Sequence, residues 1–239
     1  MEIYKAKKSP FYRWSTDLIG LLFPNLCNAC GISLFQNEHL ICTHCLYDLP
    51  FTDYHIYEEN RVAKQLWGRL PLHGAMAMLY FRKGAKVQNL IHNLKYNHKT
   101  EVGNLLGNML GDRLNKSPIY ENIDLIIPVP LHKKKLRIRG YNQSTFIAEG
   151  ISEKMNVPLD ENTLVRITST ESQTKKSRYS RYENMKDVFG ITNPDVIKGK
   201  HILLIDDVIT TGATLEACAN ALLENGAEKV SIAALAFAE

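Results

Sequence analysis

No apolar run in this chain of 239 residues approaches the roughly 20 that a membrane-crossing helix needs, so no spanning segment is expected. Excess charge of one sign is also missing. Lys and Arg number 29 against 25 Asp and Glu, a formal net charge of +4. That permits contact with phosphates or nucleic acid without requiring it. A secretory leader is not read at the start. Lys5, Lys7 and Lys8 precede a semi-apolar stretch from Phe11 to Leu26, but Arg13 and Asp17 interrupt it and no small-residue cleavage site follows. Phe11, Ser15, Leu18, Ile19 and Leu22 instead fall at helical spacing and predict a short amphipathic helix packed on the protein, with a membrane-surface role as the alternative. The length fits one large domain, or one domain with an appendage.

Cysteine is scarce, and four of the five cysteines fall in one pattern: Cys27-x-x-Cys30 and Cys42-x-x-Cys45. Two such knuckles bring four thiolates within reach of one tetrahedral Zn²⁺. Two disulfides are the alternative, but nothing signals secretion, and the metal is favoured. With all four ligands supplied by protein the zinc is structural. It folds a small ribbon that lacks a core of its own. Cys218 stands apart, on a helical face with Leu215, Ala219, Leu222 and Leu223, and is expected to be an inert core thiol.

Residues 202–214 carry the chemistry. A buried-type strand from Ile202 to Ile205 runs into Asp206 and Asp207. Thr210, Thr211, Gly212, Ala213 and Thr214 form a turn, and a helix follows. Ligands bind open α/β sheets where a parallel strand hands over to a helix. Gly212 lets the backbone approach a ligand closely, and the helix N-terminus points unsatisfied N–H groups at the same spot. This is a cradle for a phosphate dianion. Hydrogen bonds to charged groups contribute about 1.5–3 kcal/mol each, so four or five, less ordering costs, reach roughly the −8 kcal/mol of micromolar binding. Ionised carboxylates accept hydrogen bonds only, which suits Asp206 and Asp207 to sugar hydroxyls or a hydrated Mg²⁺. Together these elements indicate a phosphorylated sugar. No Lys follows the glycine where a P-loop would need it.

The rest of the chain alternates strands and helices. Strands are expected over 76–81, 123–129, 200–205 and 230–237, and helices near 85–96, 102–114 and 143–155. The pattern predicts an α/β fold with a mostly parallel, doubly wound sheet. Pro128 and Pro130 stop the second strand. The loop beyond clusters Lys133, Lys134, Lys135, Arg137 and Arg139 at a strand's C-terminal end, where Arg suits bidentate binding of pyrophosphate. Residues 166–189 are basic and poor in apolar residues, and they read as a long loop able to close over the site.

The 202–214 segment resembles the phosphoribosyl pyrophosphate (PRPP) signature of type I phosphoribosyltransferases. With the Cys-x-x-Cys pair, Leu94-Lys95-Tyr96, Pro128-Val129-Pro130, Arg139-Gly140-Tyr141-Asn142-Gln143, Arg166, Gln173, Arg181 and Asn184, nearly the whole chain resembles the ComF family. The resemblance implies a type I phosphoribosyltransferase-like domain over 56–239, preceded by a zinc ribbon within 1–55. It assigns Asp206 and Asp207 as the catalytic carboxylates that engage the ribose 2′- and 3′-hydroxyls, and Thr210–Thr214 as the grip on the 5′-phosphate. Pro128, Val129, Pro130, Leu131, His132 and Arg139 would meet pyrophosphate, and Arg166, Gln173, Arg181 and Asn184 belong to the closing loop. It further implies a cytoplasmic protein of natural competence, using PRPP and Mg²⁺ and working with the DNA uptake machinery at the membrane. Residues of about 60–115 would form the hood over the sheet that selects an acceptor, and no residue stands out as the acceptor's general base. The competing reading makes the protein a single-stranded DNA-binding uptake factor with PRPP as a regulatory ligand. In that reading the Lys133–Arg139 run contacts phosphates and Tyr141, Tyr179 and Tyr182 are available to stack on bases.

Overall fold

The computed structural model describes residues 24–82, 85–167 and 188–238. The amphipathic helix expected before Leu26, and Gln173, Tyr179, Arg181, Tyr182 and Asn184, lie outside them. The chain forms two compact units, Met1–Asp48 and Leu49–Glu239. The division falls after Asp48 rather than at residue 55, because the segment that follows joins the sheet: Phe51 bridges Leu79, and Tyr80 N–H donates to the Pro50 carbonyl at 2.9 Å.

In the first unit the chain reverses between Leu26 and Ser33, which form an antiparallel bridge, with Gly31 in the left-handed region at φ 76°. Helix α1 (Thr43–Tyr47) follows, its N-cap supplied by Cys42, whose sulfur accepts from the Cys45 N–H. Little of this unit is hydrophobic core. Among the described residues only Cys27, Ala29, Ile41 and Cys45 are buried apolar groups, while Leu26, Ile32, Phe35 and Tyr47 are exposed.

The second unit holds helix α2 (Arg61–Leu66), strand β1 (Gly74–Phe81), helices α3 (Lys86–Tyr96) and α4 (Thr100–Leu114), strand β2 (Leu125–Pro128), helices α5 (Lys133–Arg139) and α6 (Gln143–Met155), the short strands β3 (Leu164–Arg166) and β4 (Phe189–Ile191), strand β5 (His201–Ile209), helix α7 (Ala213–Glu224) and strand β6 (Lys229–Ala238). The main sheet runs β1-β6-β5-β2, all parallel. Leu159 extends it by one parallel bridge to Ile126, beyond β2. The connections β1 to β2 and β2 to Leu159 step one way across the sheet, and β5 to β6 steps the other. Right-handed crossovers therefore place α3, α4 and α6 on one face and α7 on the opposite face. Strands covered on both faces read as continuous apolar runs, which is why residues 230–237 are buried throughout.

Three expectations need correction. The strand expected to end at Ile205 continues to Ile209, since β6 offers partners to the end: Asp206 pairs with Ala234, Val208 with Ala236 and Ile209 with Phe237. The basic loop after Pro130 is instead helix α5. It is capped by His132, whose ring nitrogen accepts from the Lys134 N–H, and closed by Gly140 in the left-handed conformation at φ 79°. The basic, apolar-poor stretch 166–189 also begins and ends in strand, with β3 and β4 paired antiparallel.

At the sheet's N-terminal edge the His201 ring is buried, 2.9 Å from Ser231 Oγ and edge-on to His73 with centroids 4.8 Å apart. Burial, then the neighbouring His73 and Lys229, hold its pKa below the ordinary value. His201 thus stabilises the fold above the unfolded value near 6.5, and that contribution is lost as pH falls through the folded value. Between pH 7 and pH 5 the wild type should lose more stability in urea melts than His201→Gln, the gap widening by up to about 1.4 kcal/mol per pH unit. Parallel pH profiles for the two proteins would refute this.

Candidate functional site

Parallel pairing of β2 with β5, with Pro128 opposite Ile205, delivers two segments to one edge of the sheet. From β2 comes Pro128-Val129-Pro130, whose Val129 N–H donates to the Ile205 carbonyl at 2.8 Å and whose Val129 carbonyl accepts from the Asn142 amide at 3.0 Å. From β5 come Asp206, Asp207 and the turn Thr210–Thr214.

The turn combines a left-handed glycine with a helix start. Gly212 has φ 75° and is the N-cap of α7, with no side-chain cap. Helices α2, α5 and α6 are capped by Asn60, His132 and Asn142, whereas α3 and α4, like α7, have no N-cap side chain. At α7 the Ala213 N–H donates to Thr211 Oγ1 at 3.5 Å. Thr210, Thr211 and Thr214 are solvent-accessible. The turn's carbonyls face α2: the Gln65 amide donates to Thr210 O, and the Arg69 guanidinium to Thr211 O at 3.1 Å while also pairing with Glu216. A Cβ on Gly212 would come within 2.7 Å of the Leu66 side chain.

The carboxylates have unequal surroundings. Asp206 Oδ1 accepts from the Asp207 N–H at 2.8 Å and from Ser144 Oγ, on the first turn of α6, at 3.3 Å. Burial and the adjacent Asp207 charge push Asp206 up to about 7, against the lowering pull of these donors and of Lys95. Asp207 is 5% exposed. Its Oδ1 takes the Lys95 ammonium at 2.8 Å, and its Oδ2 is buried with no hydrogen-bond partner among the described residues. An orphaned, acceptor-only oxygen beside this turn fits a ligand hydroxyl or a hydrated cation.

Arg139, expected on pyrophosphate, is engaged within the protein. It donates to Gln143 Oε1 at 2.7 Å and to the Tyr96 hydroxyl at 3.3 Å, and lies over the Tyr96 ring. Arg166 is on β3, its guanidinium over the Phe189 ring of β4. Leu131 and His132 lead from Pro130 into α5. Lys95, Ser144, Gln65 and Arg69 were not identified as site residues from sequence. Lys95 and the stretch around Ser144 are next to or inside quoted motifs, whereas Gln65 and Arg69 carry no motif at all.

In the first unit the Sγ atoms of Cys27, Cys30, Cys42 and Cys45 all lie within 4.8 Å of one another. Cys30 and Cys42 are 3.9 Å apart and every cysteine is a free thiol. A tetrahedral ion with metal–sulfur bonds of about 2.3 Å separates its sulfurs by about 3.8 Å, so the four could hold a metal such as zinc. Burial opposes a thiolate at Cys27, but N–H groups of Cys42, Cys30 and Ala29 outweigh it and draw its pKa down to about 7. Cys218 is fully buried on α7 and its pKa is pushed far up by burial, as a core thiol's should be.

Residues 142–239 match the family model described as the phosphoribosyl transferase domain. The ComF resemblance also stands, through relatives along the chain. DNA utilization protein YhgH of Shigella flexneri is 29% identical over 210 residues, 87% of this chain and 82% of that protein. Competence protein F of Haemophilus influenzae is 33% identical over 116 residues, 48% of this chain and 51% of its relative. Among solved structures, a glutamine PRPP amidotransferase from B. subtilis, complexed with ADP and GMP, superposes with a TM-score of 0.42 at 19% identity, over 60% of this chain and 30% of that one. No helix among the described residues is long and apolar enough to cross a membrane.

Proposed function

We propose that the chain binds PRPP with Mg²⁺ at the C-terminal edge of β5 and transfers its phosphoribosyl group, acting in the cytoplasm in DNA uptake. One observation carries this reading. A carboxylate pair, one of whose buried oxygens has no hydrogen-bond partner among the described residues, precedes a left-handed glycine that is the N-cap of α7. Thr210–Thr214 hold the 5′-phosphate, and Asp206 and Asp207 accept from the ribose hydroxyls. Pro128–His132 and Mg²⁺ face the pyrophosphate. Departure of pyrophosphate leaves an oxocarbenium-like ribose, and the protein's part is positioning and charge stabilisation. Four thiolates hold a structural zinc in the first unit.

A second reading is favoured by α5. Lys133, Lys134, Lys135 and Arg137 are exposed, the helix buries none of its side chains, and Leu136 and Ile138 are exposed beside them. That surface suits the phosphate backbone of single-stranded DNA, with PRPP as regulator and competence machinery at the membrane as further partners.

One set of titrations tests both. PRPP with Mg²⁺ should give saturable heat in calorimetry with the wild type and none with Asp206→Ala/Asp207→Ala. Silence of the wild type at millimolar PRPP, or equal binding by the variant, would end the first reading. Release of pyrophosphate with a panel of nucleobases and nucleic acids then identifies an acceptor. Oligonucleotide affinity should fall steeply with salt, and insensitivity to neutralising Lys133, Lys134 and Lys135 would end the second.

A further inference from the structure

We propose that Lys95 is a positioning residue for the sugar-binding carboxylate Asp207, an inference that rests on the sugar-phosphate reading of the site. The Lys95 ammonium lies 2.8 Å from Asp207 Oδ1, with both side chains largely buried, at 20% and 7% exposure. Lysine is seldom buried unless paired, and its backbone here is fixed from both sides. Leu94 is fully buried and its carbonyl accepts the Tyr141 hydroxyl; Tyr96 receives Arg139 on its hydroxyl and ring. Leu94-Lys95-Tyr96, the last turn of α3, thus ties the acidic pair to the segment that follows Pro130. A lysine ammonium, a point charge, engages one oxygen of a carboxylate partner. This one satisfies Oδ1 and leaves Oδ2 buried and unpartnered among the described residues. Held through Oδ1, Asp207 has Oδ2 left as an acceptor for a hydroxyl of the ligand. Lys95 acts through Asp207 and does not touch the ligand itself.

The test compares ribose 5-phosphate, PRPP and inorganic phosphate, each with Mg²⁺, by calorimetry on the full chain. Lys95→Met should weaken ribose 5-phosphate and PRPP by roughly 10- to 100-fold, the loss expected for a hydrogen bond to a charged group. Inorganic phosphate, held by the Thr210–Thr214 turn, should change by less than about twofold, as a site without a shared partner would. A general folding defect would weaken all three alike. In an Asp207→Asn background, adding Lys95→Met should cost no further affinity for ribose 5-phosphate. That double variant removes the buried Asp207 charge together with its ammonium partner, so it carries the test if Lys95→Met alone fails to fold. Unchanged ribose 5-phosphate affinity in Lys95→Met overturns the assignment and leaves the functional reading standing. Further loss in the double variant overturns it too, because Lys95 would then contact ligand directly. A wild type that binds neither sugar phosphate overturns both.

Discussion

Gly107→Ala should destabilise the second unit by roughly 2–3 kcal/mol, a cost typical of forcing extra volume into a packed interface, and lower its Tm by roughly 5–10 °C. Glycine in an exposed helix interior is ordinarily a burden of about 0.5–1 kcal/mol relative to alanine, so an isolated α4 would predict the opposite sign. The crossing with α6 reverses it. A Cβ on Gly107 would stand 2.2 Å from the Ile147 carbonyl oxygen, and one on Gly150 2.2 Å from the Asn104 carbonyl oxygen. Both collisions are with backbone, which cannot rotate away. Gly111 is the milder case: its Cβ would stand 2.8 Å from Lys154 Cβ and 3.3 Å from Ile151 Cα, so Gly111→Ala should also destabilise, but by less than Gly107→Ala. Thermal melts of the two variants decide the matter, and a stabilised Gly107→Ala would refute the account. The effect should reach the site, because α6 carries Ser144 to Asp206.

Stripping metal from the full chain should abolish amide protection across residues 27–45 while leaving that of β5 and β6 intact. Structural zinc in small thiolate sites supplies on the order of 10–16 kcal/mol of binding energy that is also folding energy. The first unit has little else, with four small or medium apolar side chains buried among its described residues and four large ones exposed. Without a cation, four sulfurs within 4.8 Å of one another would have to stay largely protonated. Burial and the neighbouring thiols already push Cys45 well up. Cys45→Ser should mimic the chelator. Hydrogen exchange with and without chelator, beside a zinc assay of the purified chain, is the measurement. Unaltered protection of 27–45 in both conditions would show that the loops hold by themselves.

Periodicity made the large elements legible. The helices α3, α4, α6 and α7 and the strands β1, β2, β5 and β6 each bury a stripe or a run, and their patterns place them within a few residues. The acidic pair and threonine turn could be placed between a strand and a helix because an apolar run precedes them and a helical stripe follows. What escaped had no hydrophobic signature. Helix α5 buries nothing, so only its cap and Gly140 could have marked it. Strands β3 and β4 have three residues each and find their partners across a long separation, too short for any alternation to register. The ends of β5 were underestimated because two adjacent aspartates look like a strand's finish, whereas β6 keeps pairing past them. Gly103, Gly107 and Gly111 stand four apart in plain view, but their meaning depends on which helix crosses them. Lys95 was visible as a letter in a motif, and its role needed the distance to Asp207.

The contacts made by Gln65 and Arg69 join two tasks in one short helix. Helix α2 is anchored to β1 by the Asn60 amide, which donates to the Ala75 carbonyl at 2.7 Å, and it steadies the turn from outside through the Thr210 and Thr211 carbonyls. Tilting that helix would twist the peptide planes whose opposite edges are the donors to an anion. A substitution in α2 would then be felt in the turn, and the two cannot drift independently.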